Sequence, residues 1–194
     1  MINCLHICND FLGSGIYKNL YQALNKLNIQ QTIYHPYRNK KKTIKIEALN
    51  IVYSKPLKKY HRILFRVKCN YLYNDLTQKI PNLNTFDIVH ATTLFSDGAV
   101  ALMLYRKFKI PYVVNVRATD LAMFLKYRKD LYPIGRAILD NAKEIIFISN
   151  SLKEKFFNHL FIKKNKTNYK LKSHILYNGI SCLLYTSPSP RDRG

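Results

Sequence analysis

Ile2-Asn3-Cys4-Leu5-His6-Ile7-Cys8-Asn9-Asp10-Phe11-Leu12-Gly13-Ser14-Gly15 opens the chain and carries the reading of its fold. Ile2 to Cys8 is a short apolar run, long enough for one strand and followed at once by a glycine-containing turn. Beyond the turn, Ile16, Leu20, Ala23, Leu24 and Leu27 recur at the spacing of one helix face. A second apolar run, Gln30 to His35, ends at Pro36. Strand, turn, helix and strand in this order predict a βαβ unit and hence a parallel sheet.

Working outward, the same alternation continues. Ala48 to Tyr53 reads as a third strand. A helical stripe of Leu57, Tyr60, Leu64, Val67, Leu72, Leu76 and Ile80 closes at Pro81, with Lys58, Lys59, Arg62, Arg66 and Lys68 on its exposed side. Asp87 to Ala91 predicts a strand, Asp97 to Phe108 an apolar helix, and Ile110 to Val116 a buried strand. A helix over Ile134 to Ala142, a strand over Glu144 to Ser149, a helix announced by Ser151 and Glu154 as a capping box, a basic connection over Lys163 to Lys172 and a last strand over Ser173 to Tyr177 follow. The fold class is therefore α/β: a single Rossmann-like domain, a doubly wound parallel sheet over residues 1–181.

The 194 residues suffice for one core, and no apolar stretch approaches the roughly 20 residues that cross a bilayer. Met1 to Asp10 lacks a basic n-region, so no signal peptide is expected and the protein reads as cytoplasmic. Cys4, Cys8, Cys69 and Cys182 have no metal-ligand spacing and read as free thiols. The formal charge of +21, from 32 basic and 11 acidic residues, implies an anionic partner: nucleic acid, a membrane surface or a phosphorylated substrate. Coding bias toward Lys, Asn, Ile and Tyr explains part of the same excess. Two other classes compete. A nucleic-acid-binding protein would show a reading element, whereas Arg and Lys are scattered here. A nucleotide-cofactor oxidoreductase would show a third glycine where Lys18 stands, and an acid after the second strand where Pro36, Tyr37 and Arg38 stand.

Ligands of an open parallel sheet bind beyond the carboxyl ends of its strands, which directs attention to three segments. Gly13-Ser14-Gly15 lets backbone approach a ligand ahead of a helix N-terminus, or is a plain turn. His90, at the end of its strand, offers an imidazole for proton transfer or simply a structural hydrogen bond; Thr92 and Thr93 follow it, and Ser96 or Asp97 suits a helix cap. Arg117 offers a fixed fork of donors, and Asp120 accepts from sugar hydroxyls or pairs with Arg117.

The order of these segments resembles a known family. Asp87-Ile88-Val89-His90-Ala91-Thr92-Thr93-Leu94-Phe95-Ser96-Asp97-Gly98 is similar to the "DIxHAHxxxSDG" region of retaining GT-B glycosyltransferases of family 4. Ile110 to Asp120 resembles its "IPyVvTvRxTD" segment, Ala142 to Ser149 its "AkkIifvS" strand, and Tyr177-Asn178-Gly179-Ile180 its "xPNGID" turn. The resemblance spans about residues 1–181. It implies the N-terminal, acceptor-side half of a GT-B enzyme making polysaccharide, with His90 catalytic and Gly13, Ser14, Gly15, Thr92, Arg117 and Asp120 binding the acceptor. It further implies a glycan or lipid-linked acceptor, no metal and no cofactor, a nucleotide-sugar as co-substrate, and no specific nucleic acid. Thr92 stands where many members carry a second histidine, and Tyr177 replaces the usual proline. The family's glutamate pair, seven residues between its members, has no counterpart among Glu47, Glu144 and Glu154. The donor half is thus expected to lie outside this sequence. Cys182 to Arg191 resembles the read-through of a sequencing adapter, with a native tail as the alternative. The basic helix suggests, besides, an anionic membrane surface as partner, or is simply a solvated face.

Overall fold

The computed structural model describes residues 2–13, 15–37, 46, 49–55, 57–162 and 165–177. Ser14, the Asn39–Lys45 run, Glu47, the Asn178-Gly179 turn and everything from there to residue 194 lie outside the described residues. The end of the domain expected at 181, the tail and Cys182 therefore lie outside them too.

Its elements run β1 (Asn3–Ile7), α1 (Gly15–Asn25), β2 (Gln30–His35), β3 (Asn50–Tyr53), α2 (Phe65–Lys79), β4 (Ile88–Ala91), α3 (Ser96–Phe108), β5 (Tyr112–Val116), α4 (Tyr132–Asn141), β6 (Glu144–Phe147), α5 (Asn150–Phe157), α6 (Lys166–Leu171) and β7 (Ser173–Ile175). The seven strands form one sheet in the order β3-β2-β1-β4-β5-β6-β7, with every pairing parallel. The chain winds outward from β1 to β3, returns to lay β4 on the other side of β1, and winds outward again. Its direction reverses between β1 and β4, the place where an open α/β sheet leaves a crevice at its carboxyl edge.

Period-two alternation sorts the strand residues by face. Leu5, Ile7, Val89, Ala91, Val114, Val116, Ile145 and Phe147 are all fully buried and join one core with residues of α2, α3, α4 and α5. On the opposite face, Cys8 and Ile33 meet Phe11, Tyr17 and Tyr21 from the turn and α1 in a smaller core. Helix α3 is buried nearly all round, from Ser96 to Leu102 and at Leu104, because it lies between the sheet and both α2 and α4. Gly98 permits that approach: a Cβ there would stand 3.0 Å from Ile138 Cγ2 and 3.4 Å from Val114 Cγ2.

Several local expectations need correction. In α1 the buried residues are Tyr17 and Tyr21, and Leu27 lies past the helix end, exposed. The stripe expected over 57–80 is out of phase. A 3-10 turn at Lys59–Arg62 precedes a helix that starts only at Phe65, so Phe65, Cys69, Leu72 and Leu76 face the core while Tyr60, Leu64 and Val67 face solvent. Lys68, expected on the exposed basic side, is buried, and its Nζ donates to Ser96 Oγ at 2.9 Å. Helix α5 is capped by Ser149 rather than Ser151: its Oγ accepts from the Leu152 N–H at 3.2 Å. The basic connection after it contains α6.

Candidate functional site

At the switch point, β1 hands over to a turn in which Gly13 N–H donates to the Asp10 carbonyl at 3.2 Å. Gly13 lies against the Asp10 carboxylate, which a Cβ would meet, whereas Gly15, at the start of α1, faces open space. In the first turn of α1 stands Tyr17, buried, and the guanidinium of Arg117 lies over its ring, 4.7 Å from the centroid. Arg117 Nη2 donates to the Tyr17 hydroxyl, and its Nε donates to the Thr92 carbonyl at 3.3 Å. Segments following β1, β4 and β5 are thus tied together by one side chain. No carboxylate pairs with that guanidinium among the described residues. Its remaining N–H groups suit phosphate, carboxylate or hydroxyl oxygens.

Below this rim sits a second layer. Asp97, fully buried in the first turn of α3, accepts from Thr92 Oγ1 at 2.8 Å and from the Asn9 N–H at 3.4 Å through Oδ2. Its other oxygen, Oδ1, has no hydrogen-bond partner among the described residues. Burial lifts the Asp97 carboxyl to about 6, against the pull of the Thr92 hydroxyl and the Lys68 ammonium. Asp120 is committed to backbone: it accepts from the N–H groups of Arg117 at 2.8 Å, Leu94 at 3.1 Å and Phe95 at 3.4 Å. It is paired with Arg117 through the main chain, not the guanidinium, and it fixes the loop that starts α3. Burial lifts this carboxyl, also, to about 6.

His90 lies deeper, on the α1 side of the sheet, 8 % exposed. Register sets it opposite His6 of β1, and the two Nδ1 atoms stand 2.9 Å apart. Its Nε2 is 3.1 Å from Asn115 Oδ1 on β5. With that oxygen accepting, Nε2 carries the proton, His90 Nδ1 accepts, and His6 Nδ1–H donates. Burial holds the His90 imidazole down at about 4, the Asn115 contact opposing and the Arg117 charge adding to the effect. Burial, with His90 beside it, lowers His6 too. His90 is accordingly a neutral ring with both nitrogens engaged.

The structure thus gathers Gly13, Thr92, Arg117 and Asp120 at one edge with His90 beneath them, Gly15 opens the adjoining helix, and Ser14 is outside the described residues. Residues not anticipated are His6, Tyr17, Asn9 and Asn115. His6 and Asn115 have a faint sequence signal, a polar residue within an apolar strand, but only register shows that they flank His90. Among the described residues no group of three or more His, Cys, Asp or Glu is placed to hold a metal, and Cys4, Cys8 and Cys69 are free, their thiols pushed up to about 12 by burial.

A parallel sheet with polar side chains gathered at the β1–β4 switch point defines a Rossmann-like α/β domain. Residues 16–182 match Glycosyltransferase Family 4, and the chain belongs to that family. The fold is shared with Anabaena Alr3699/HepE, solved with UDP and glucose, at a TM-score of 0.64 and 15% identity over 99% of this chain and 48% of that one. S. aureus MnaA, solved with UDP, gives 0.54 at 10% identity over 90% and 43%. Apo UGT2 of Phytolacca americana gives 0.55 at 12% identity over 98% and 56%. The chain spans about half the length of these structures. The curated proteins include no match to the sequence.

Proposed function

We propose that this domain is the acceptor-side half of a retaining, hexosyl-transferring GT-B enzyme that moves a sugar from a nucleotide-sugar to a glycan or lipid-linked acceptor in polysaccharide synthesis. One observation carries the reading: within a family 4 chain, Arg117 gathers the ends of β1, β4 and β5 into a single polar edge at the switch point. In this reading Arg117 and the 13–15 turn hold acceptor oxygens, and Thr92 and Asp97 set the floor. Asp120 shapes the loop behind them. His90 acts as a positioning residue: both ring nitrogens are engaged within the sheet, so the direct proton transfer expected of it has no open nitrogen to work through. The nucleotide-sugar is the co-substrate, held by a second domain, with no further cofactor or metal.

The test is a transfer assay with a panel of nucleotide-sugars and lipid-linked acceptors. The 194-residue chain alone is expected to show no turnover, and robust turnover by it overturns the division of labour. In an enzyme completed with a donor domain, Arg117→Ala is expected to lower kcat/KM at least about tenfold, the scale of one lost charge-assisted hydrogen bond. An unchanged kcat/KM removes the acceptor edge from this position.

A further inference from the structure

The last residue of β2, His35, carries an imidazole with one nitrogen engaged. Its Nδ1 stands 2.7 Å from the Cys8 carbonyl, just past β1. A carbonyl only accepts, so Nδ1 carries the proton and donates. Burial lowers the His35 imidazole below its ordinary value, with the Cys8 contact and the Asp10 charge opposing, and the ring is neutral near neutrality. Nε2 is then a bare lone pair on the side of the ring turned away from β1. Among the described residues it has no hydrogen-bond partner, although His35 is only 4% exposed. A nearly buried acceptor is costly to leave without a donor. His90 differs, because both of its nitrogens are engaged within the sheet.

The surroundings of His35 are aromatic. Register sets it opposite Tyr53, the last residue of β3. The Phe11 and Tyr53 rings each meet it edge to face at 5.8 Å, and Tyr37 meets Tyr53 at 5.7 Å. Tyr37 and Tyr53 are half-buried. In the other direction Phe11 stacks with Tyr21 at 5.8 Å, and Tyr21 with Tyr17 at 6.1 Å. An unbroken row of rings thus joins Arg117, past the end of β5, to Tyr37, past the end of β2, with His35 in the row.

The two polar groups of this row make opposite demands. Arg117 offers only donors. His35 Nε2 offers only a lone pair, which repels phosphate and carboxylate and takes an O–H or N–H donor. Aromatic rings around a single placed polar group suit a ligand with apolar C–H faces and hydroxyls at its edge.

We propose that His35 is a specificity-determining residue for a neutral pyranose: its Nε2 accepts a hydrogen bond from one ring hydroxyl, while the sugar lies against Tyr53 and Tyr37. That this pyranose belongs to the acceptor rests on the glycosyl-transfer reading; its recognition by His35 does not.

NMR of the histidine ring nitrogens in the 194-residue chain decides it, with methyl glycosides of glucose, galactose, mannose and N-acetylglucosamine as probes. Without sugar, His35 is expected as the Nδ1–H tautomer with Nε2 unprotonated. At least one glycoside is expected to move the Nε2 resonance upfield, as hydrogen bonding to a bare ring nitrogen does, and inorganic phosphate is not. Deoxy analogues of that glycoside test the contact without altering the protein: loss of one particular hydroxyl is expected to abolish the Nε2 shift, and loss of the others is not. His35→Asn keeps a donor for the Cys8 carbonyl and removes the Nε2 lone pair. Followed on the Tyr37 and Tyr53 ring resonances, it is expected to weaken glycoside binding by about tenfold or more, the scale of one buried acceptor left unpaired, with an unchanged thermal melt. A protonated Nε2 near neutrality, an Nε2 resonance that no glycoside moves, equal shifts with every deoxy analogue, or unchanged affinity in His35→Asn each overturns the proposal. The acceptor reading fails separately: an Arg117→Ala enzyme that loses kcat/KM while the His35 resonances stay silent keeps the acceptor at Arg117 and removes it from His35.

Discussion

Asp97 and His90 are buried titratable groups pulled in opposite directions. An unfolded aspartate titrates near about 3.9, and Asp97 in the fold titrates at about 6. The folded state therefore favours the protonated acid: the stability this confers is complete below about pH 4 and is lost as pH rises through 6. His90 has the other sign. Its folded value of about 4 lies below the usual 6.5, so its contribution is complete above 6.5 and is lost as pH falls toward 4. Between pH 4 and 6 the buried acids and imidazoles oppose one another. Asp97→Asn removes one side of that balance. Its stability deficit against the parent, measured by urea unfolding, is expected to shrink by up to about 3 kcal/mol between pH 4 and 7. A deficit that stays constant with pH would show that folding does not raise the Asp97 carboxyl above its unfolded value. Neither titration is legible in a linear sequence, where Asp97 is simply an acid suited to a helix start. What moves it is burial between the ends of β1 and β4, which only the assembled fold supplies.

Elements were legible where apolar runs were short and bounded, and less so where two registers competed. The strands came within two residues of expectation because a buried parallel strand is a nearly unbroken apolar run. In the stretch before α2, Leu57, Tyr60 and Leu64 mimic a helical stripe, whereas the helix itself takes its phase from Phe65. The cap of α5 lies two residues before the expected Ser151 for a similar reason: Ser149 and Ser151 both precede the apolar residues, and Ser149 is extended, with φ −161 and ψ 157, so that its hydroxyl reaches back to the helix. Ser149→Ala is expected to cost about 1 kcal/mol of stability, the usual worth of an N-cap. Ser151→Ala, on an exposed helix face, is expected to be within about 0.5 kcal/mol of neutral. Chemical denaturation of the two variants distinguishes them, and equal costs would return the cap to Ser151.

For the molecule as a whole, the charge of +21 is a standing self-repulsion spread over a surface with few acids. Described ion pairs are few: Lys79 with Asp75, Arg128 with Asp130, and His174 with Glu144 when the imidazole is protonated. Raising salt screens repulsion between exposed charges more than it weakens these pairs. The Tm is expected to rise by roughly 2–4 °C for each kcal/mol so recovered between low and high sodium chloride; a Tm that falls with salt would mean that attractive pairs dominate. Among the described residues no helix is long and apolar enough to cross a membrane.

Alternating apolar runs and glycine turns in the bare chain were enough to establish a parallel α/β sheet and the strand ends at which polar residues collect, because those features arise from periodicity within a few residues. Which polar side chains meet was a matter of register and of the face each strand turns to α1. His6 faces His90, Arg117 reaches Tyr17, and Thr92 joins Asp97 across separations from five to a hundred residues. Such contacts follow from how the strands align across the sheet, a non-local choice made by core packing, and no local pattern encodes it.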